Sequence, residues 1–196
     1  MQNSDYLISE NPMKALVFFS LPMIIGNLFQ QAYTMADSAI VGRLVGENAL
    51  AAVGAAYSLT NIFICIAIGG GIGASVIVSQ YFGRGSYGKL KKAVYTALIS
   101  FLLISGLLGG FGLLFSRKIM IVLNTPAEVL DMSVTYLKIY FLGLPFLFMY
   151  NVLSSMFNAL GKSRIPLYFL IFSSVFNIVL DWIFVANFHL DVAGVA

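Results

Sequence analysis

Charge is what this sequence has least of. Asp, Glu, Lys and Arg make up 10% of its residues, against about 25% in a soluble globular domain. With 60% hydrophobic residues and a mean hydropathy of +0.92, a water-facing fold is excluded, because there is too little polar surface to cover so much apolar area. Cysteine occurs once, as Cys65 inside an apolar run, which excludes an intrachain disulfide and a thiolate metal cluster. Histidine also occurs once, and His189 has no Cys or His beside it, so it reads as a loop residue rather than a metal ligand. A Ser/His/Asp hydrolase has no histidine to work with, and no enzyme activity is expected. The first thirteen residues carry Asp5 and Glu10 where a signal peptide carries basic residues, so the N-terminal apolar segment is expected to be retained as a membrane span.

Two further classes fall away on spacing. Gly69, Gly70, Gly71 and Gly73 lie within an apolar run with no Lys-Ser or Lys-Thr after them, and Gly161-Lys162-Ser163 has Met156 where a phosphate loop needs its first glycine. Nucleotide binding is therefore excluded, and no organic cofactor is expected. The net charge of +3 is not a nucleic-acid footprint, because the cations cluster between the apolar runs, where they report topology.

What the sequence has is runs of about 20 or more predominantly apolar residues, the length a helix needs to cross a bilayer. They are far longer than barrel strands and do not alternate, so the expected fold is an all-α, polytopic transmembrane helix bundle. Five spans are expected at 15–41, 49–81, 93–115, 129–160 and 165–187, with Gly194-Val195-Ala196 as the start of a sixth and the chain cut short at its C-terminus. The short connections between spans imply a single helical lobe over 1–196. The glycines at 69–73, and Gly106 and Gly110 at GxxxG spacing, are expected to mark close helix packing. With the N-terminus inside, Lys14, Arg84, Lys89, Lys91, Lys92, Lys162 and Arg164 are inner, whereas Arg43, Arg117 and Lys118 are outer, with Lys138 near an outer helix end. That asymmetry predicts a cytoplasmic N-terminus in a multi-pass protein of the cell membrane.

Two carboxylates stand inside apolar spans, Asp37 in the first and Asp181 in the fifth. A charge at mid-bilayer costs about 2.5–3.5 kcal/mol on insertion scales, which makes such a residue an ion pathway or binding site by default. Spans one and five run in the same direction, and both carboxylates lie shortly before the outer end, so they share a depth. Asn177 precedes Asp181 by one turn, and Gln30, Tyr33 and Thr34 form a polar stripe with Asp37. Tyr136 and Tyr140 fall in the outer half of span four. These oxygens suit a small hard cation, Na+ or H+, at Asp37, Asn177 and Asp181, with Gln30, Tyr33, Thr34, Tyr136 and Tyr140 lining a substrate cavity. Pro22 and Pro145 interrupt the hydrogen-bond ladders of spans one and four and are expected to kink or hinge them.

Leu21-Pro22-Met23, Asn27, Gln30-Gln31, Ala36-Asp37-Ser38, Val41-Gly42-Arg43 and the run Ala49 to Gly54 together resemble the opening of the multidrug and toxic compound extrusion (MATE) family. Asn158-Ala159-Leu160-Gly161-Lys162-Ser163 and Asn177-Ile178-Val179-Leu180-Asp181-Trp182 resemble its fourth-to-fifth helix region. The resemblance implies the N-terminal lobe of a twelve-helix antiporter that exports organic cations and other amphipathic compounds in exchange for Na+ or H+. It implies that Asp37, Asn177 and Asp181 form the cation site, with Tyr136 near it, and that a C-terminal lobe is the missing partner. Trp182 stands where the family commonly has proline. Alternatives are a lipid-linked oligosaccharide flippase of the same superfamily, whose cavities tend to be basic where this one is acidic, and a non-transporting membrane fragment or partner.

Overall fold

The computed structural model describes residues 12–186 and 191–194; His189 and Asn187 lie outside them. Its order is α1 (Pro12–Ile40), a π-helical turn (Val41–Val45), α2 (Glu47–Gly83), α3 (Tyr87–Val122), α4 (Ala127–Ala159), α5 (Arg164–Ala186) and a 3-10 turn (Asp191–Gly194). Among the described residues there is no strand, and five helices are long and apolar enough to cross a membrane. Their outward faces carry large apolar side chains such as Leu114, Leu107 and Phe146, each more than three-quarters exposed. A surface of that kind is built for lipid or for another apolar protein face.

The helices outrun the apolar runs that announce them. α3 begins at Tyr87 and ends at Val122, six or seven residues beyond the expected 93–115 at either end, because Lys89, Lys91 and Lys92 end an apolar run without interrupting a backbone ladder. At about 1.5 Å per residue, its 36 residues span more than the ~30 Å hydrocarbon core, so both ends stand in the interface. The connection expected at 42–48 is almost absent. α1 continues through the π turn, where the Gly46 amide donates to the Val41 carbonyl at 3.1 Å, and α2 starts at Glu47. Gly46 makes the reversal at φ 119° and ψ 177°, a conformation open only to glycine. Gly46→Ala therefore destabilises by about 1–3 kcal/mol through backbone strain alone, since a Cβ there meets no neighbour; a thermal-shift measurement on the purified full-length protein checks this.

α4 is the hub of a three-helix unit. Val134, Leu137, Phe141, Leu144, Phe148 and Val152 are buried along it at spacings of three and four, so one face meets α2 and α3. The Phe141 ring stands edge-on to Phe63 of α2, centroids 5.2 Å apart. α3 approaches the hub through its small residues Ser105, Gly109, Gly112 and Ser116. This corrects the expectation for Gly106 and Gly110, which have open space where a Cβ would stand; the packing glycines lie on the next face round. On α2, Gly70 faces the Phe101 ring and Gly71 the Ser155 hydroxyl, whereas Gly69 and Gly73 are open. α1 instead packs along α5, and α5 meets α4 more lightly. The α1–α5 pair and the three-helix unit are thus two bodies with a cleft between them, and the candidate site lies along that seam.

Candidate functional site

Asp37 sits on α1, just before the π turn, and Asp181 near the end of α5. Asp181 is buried, with 4% of its surface exposed, and Asp37 is half-buried. Asp37 Oδ1 and Asp181 Oδ2 are each shielded from solvent and accept no hydrogen bond. A buried carboxylate oxygen without a donor costs several kcal/mol when charged, and a proton or small cation removes that cost. The charges of the two carboxylates act on each other, and both act on the hydroxyls of Tyr33 and Tyr136. Two carboxylates and two phenols, from α1, α4 and α5, therefore occupy one neighbourhood.

Other residues expected at the site are placed differently. Asn177 is exposed although Asp181, one turn later, is buried; the two sit about 40° apart around the helix, enough to put Asn177 at the edge of the α1–α5 contact. Thr34 is exposed and donates back to the Gln30 carbonyl at 2.9 Å. Tyr140 faces α2, where its hydroxyl donates to the Thr60 carbonyl at 3.1 Å, so it ties two helices of the hub together. Pro145 is half-buried within α4, whereas Pro22 is buried within α1.

Pro22 and Gln30 belong to a cleft of about 180 Å³ that also takes in Asn27 from α1, Ile68 from α2, Tyr150, Asn151, Ser154 and Asn158 from α4, and Pro166 and Leu170 from α5. It lies toward the other end of the α1–α5 pair from the carboxylates. Tyr33 lies between the two places, close enough to sense Asp37 on one side and Tyr150 on the other. Asn158 Oδ1 and the Ser174 hydroxyl are buried without hydrogen-bond partners. Sequence reasoning passed over this polar row on α4. The signal was there: Asn151, Ser154 and Asn158 are three and four residues apart, one face of a helix in an apolar span.

A family model described as MatE matches residues 22–183. "Probable multidrug resistance protein YpnP" of Bacillus subtilis is 33% identical over 95% of the chain, and "Multidrug export protein MepA" of Staphylococcus haemolyticus 29% identical over 97%. The structure superposes on a multidrug resistance MATE family transporter of the MOP superfamily, solved in an outward-facing conformation, with a TM-score of 0.92 and 25% identity over the whole chain. The chain spans 42% of the length of each of the two curated relatives and 43% of that solved transporter.

Proposed function

Since the chain belongs to the MatE family, we propose that it forms one lobe of a secondary active antiporter that exports amphipathic and organic cationic compounds in exchange for Na+ or H+. The observation that carries this reading is the pair of membrane-embedded carboxylates, Asp37 and Asp181, each with one buried oxygen that accepts no hydrogen bond. Such a pair has no structural use that an apolar pair would not serve better. It does have a transport use, because occupation by a cation or proton changes the energy of bringing α1 and α5 together. Tyr33 and Tyr136 supply hydroxyl oxygens to the same neighbourhood, and Asn177, one turn before Asp181 on α5, adds an amide oxygen at its edge. The cleft from Pro22 to Asn158 receives the organic substrate, whose cationic group is drawn toward the carboxylates past Tyr150 and Tyr33. Pro22, which leaves the Phe18 carbonyl without its helical partner, is the point where α1 bends.

A second lobe completes the alternating access on which such exchange depends, and the multi-pass protein works in the cell membrane with its N-terminus in the cytoplasm. The test is export of a fluorescent cationic dye from cells carrying the full-length gene, with the Na+ gradient and the pH gradient varied separately. Export above the empty-vector rate that follows one of the two gradients supports antiport; dye retention identical to that of vector cells under every gradient overturns it. Tyr136→Phe keeps the ring, which packs against the hub and against the cluster of Val41, Ala49 and Val192, and removes only the hydroxyl. The expected outcome is an apparent affinity for the coupling ion weakened about fivefold, the worth of one hydrogen bond of about 1 kcal/mol, with a maximal export rate close to wild type.

A further inference from the structure

The corner between α2 and α3 gathers four cations and no carboxylate. Between residues 48 and 127 there is no Asp or Glu, yet Arg84, Lys89, Lys91 and Lys92 fall within nine positions of one another. All four are exposed, and none forms an ion pair among the described residues, whereas Arg117 at the far end of α3 pairs with Asp131. Topology explains the sign of these charges but not what lies below them. Lys92, Tyr95, Ile99 and Leu103 follow at spacings of three, four and four, on one outward face of α3. Tyr95, Ile99 and Leu103 are each 60% or more exposed, and α3 turns its opposite side, through Leu90, Val94 and Phe101, to the hub. From Lys92 to Leu103 the helix rises about 16 Å, half the hydrocarbon thickness of ~30 Å. The face therefore has a cationic head, a tyrosine at interface depth and an apolar track one acyl chain long.

We propose that this face binds an anionic phospholipid, with its phosphate held by Lys89, Lys91, Lys92 and Arg84 and its chains lying along Tyr95, Ile99 and Leu103. Juxtamembrane lysines attract anionic headgroups, and the hairpin's one carboxylate, Glu47, stands at the far end of α2, which leaves the lipid without a competitor at this corner. Three lysines in the first turns of α3 also oppose the positive end of the helix dipole, a repulsion that a bound phosphate relieves. The inference rests on the chain being membrane-embedded and not on what it exports.

The test is native mass spectrometry of the purified full-length protein in detergent, titrated with dioleoyl-phosphatidylglycerol or dioleoyl-phosphatidylcholine. The wild type retains phosphatidylglycerol in preference, and each lysine changed to glutamine weakens that retention about fivefold, so Lys89→Gln/Lys91→Gln/Lys92→Gln falls to the phosphatidylcholine level. The Lys→Arg triple and the Arg117→Gln/Lys118→Gln control keep the preference. Equal retention of the two lipids by the wild type overturns the proposal before any variant is made, as does a glutamine triple that keeps the preference or a control that loses it. Lipid retention is read without transport, so a failure of dye export leaves this result standing on its own.

Discussion

Asp181→Asn in the full-length protein is expected to lower export of a cationic dye to the empty-vector rate, a loss of more than about tenfold, without lowering thermal stability. Asparagine keeps the shape of aspartate and removes its charge. Asp181 is 4% exposed and one of its oxygens has no donor, so the wild-type carboxylate is a cost to the fold that the amide reduces. A residue retained for structure behaves in the opposite way, losing stability when it is changed. Asp37→Asn should behave as Asp181→Asn does, because the two charges act on each other and on the same two phenols. Asn177→Ala is expected to weaken ion dependence less than either, since Asn177 is exposed beside the buried Asp181. Export rates and melting temperatures measured on the same preparations separate these outcomes.

Gly109→Ala should be among the most damaging single-methyl changes in the hub. The added Cβ would stand 2.8 Å from the Phe141 backbone carbonyl, and a backbone atom of a buried helix cannot swing aside as a side-chain tip can. Overpacking of this kind costs about 1–3 kcal/mol, and it falls on the contact through which α3 meets α4. Gly106→Ala and Gly110→Ala insert the same methyl three residues before and one residue after into open space, and are expected to be neutral or slightly stabilising, since alanine favours helix over glycine by about 1 kcal/mol. Melting temperatures of the three variants, measured in one detergent, give the comparison. A larger loss in Gly106→Ala than in Gly109→Ala would show that α3 is rotated from the face described.

The contrast between these glycines shows where sequence reading reaches its limit. The number and order of the helices follow from runs of apolar residues, because lipid forces the backbone to satisfy itself and helices are the way a single open chain does so. The two carboxylates stand out in the sequence equally well, because an aspartate among apolar residues is costly wherever its helix faces. Which face a helix presents is a different matter. α3 is apolar nearly all round, so its lipid side and its packing side differ in residue size and not in polarity, and Gly106-x-x-x-Gly110 and Ser105-x-x-x-Gly109 are equally good patterns on paper. Tyr140 was read as a cavity residue from its depth in span four; its direction, toward the Thr60 carbonyl, is decided by how α4 rotates against α2. The row Asn151, Ser154 and Asn158 was hidden for a related reason, since single amides and hydroxyls in an apolar span are cheap enough to pass as packing until Asn158 Oδ1 is found buried without a donor.

The claim that Asp37 and Asp181 exchange a coupling cation for the substrate is tested most directly on the purified full-length protein, in weakly buffered solution and separately in radioactive Na+. The measurement is how many protons or Na+ ions are released when a cationic dye is added. Release of one of the two ions on dye binding, saturating with the dye and absent in Asp181→Asn, is the expected result. Dye binding with no release of either ion, or release that persists unchanged in Asp181→Asn, contradicts it.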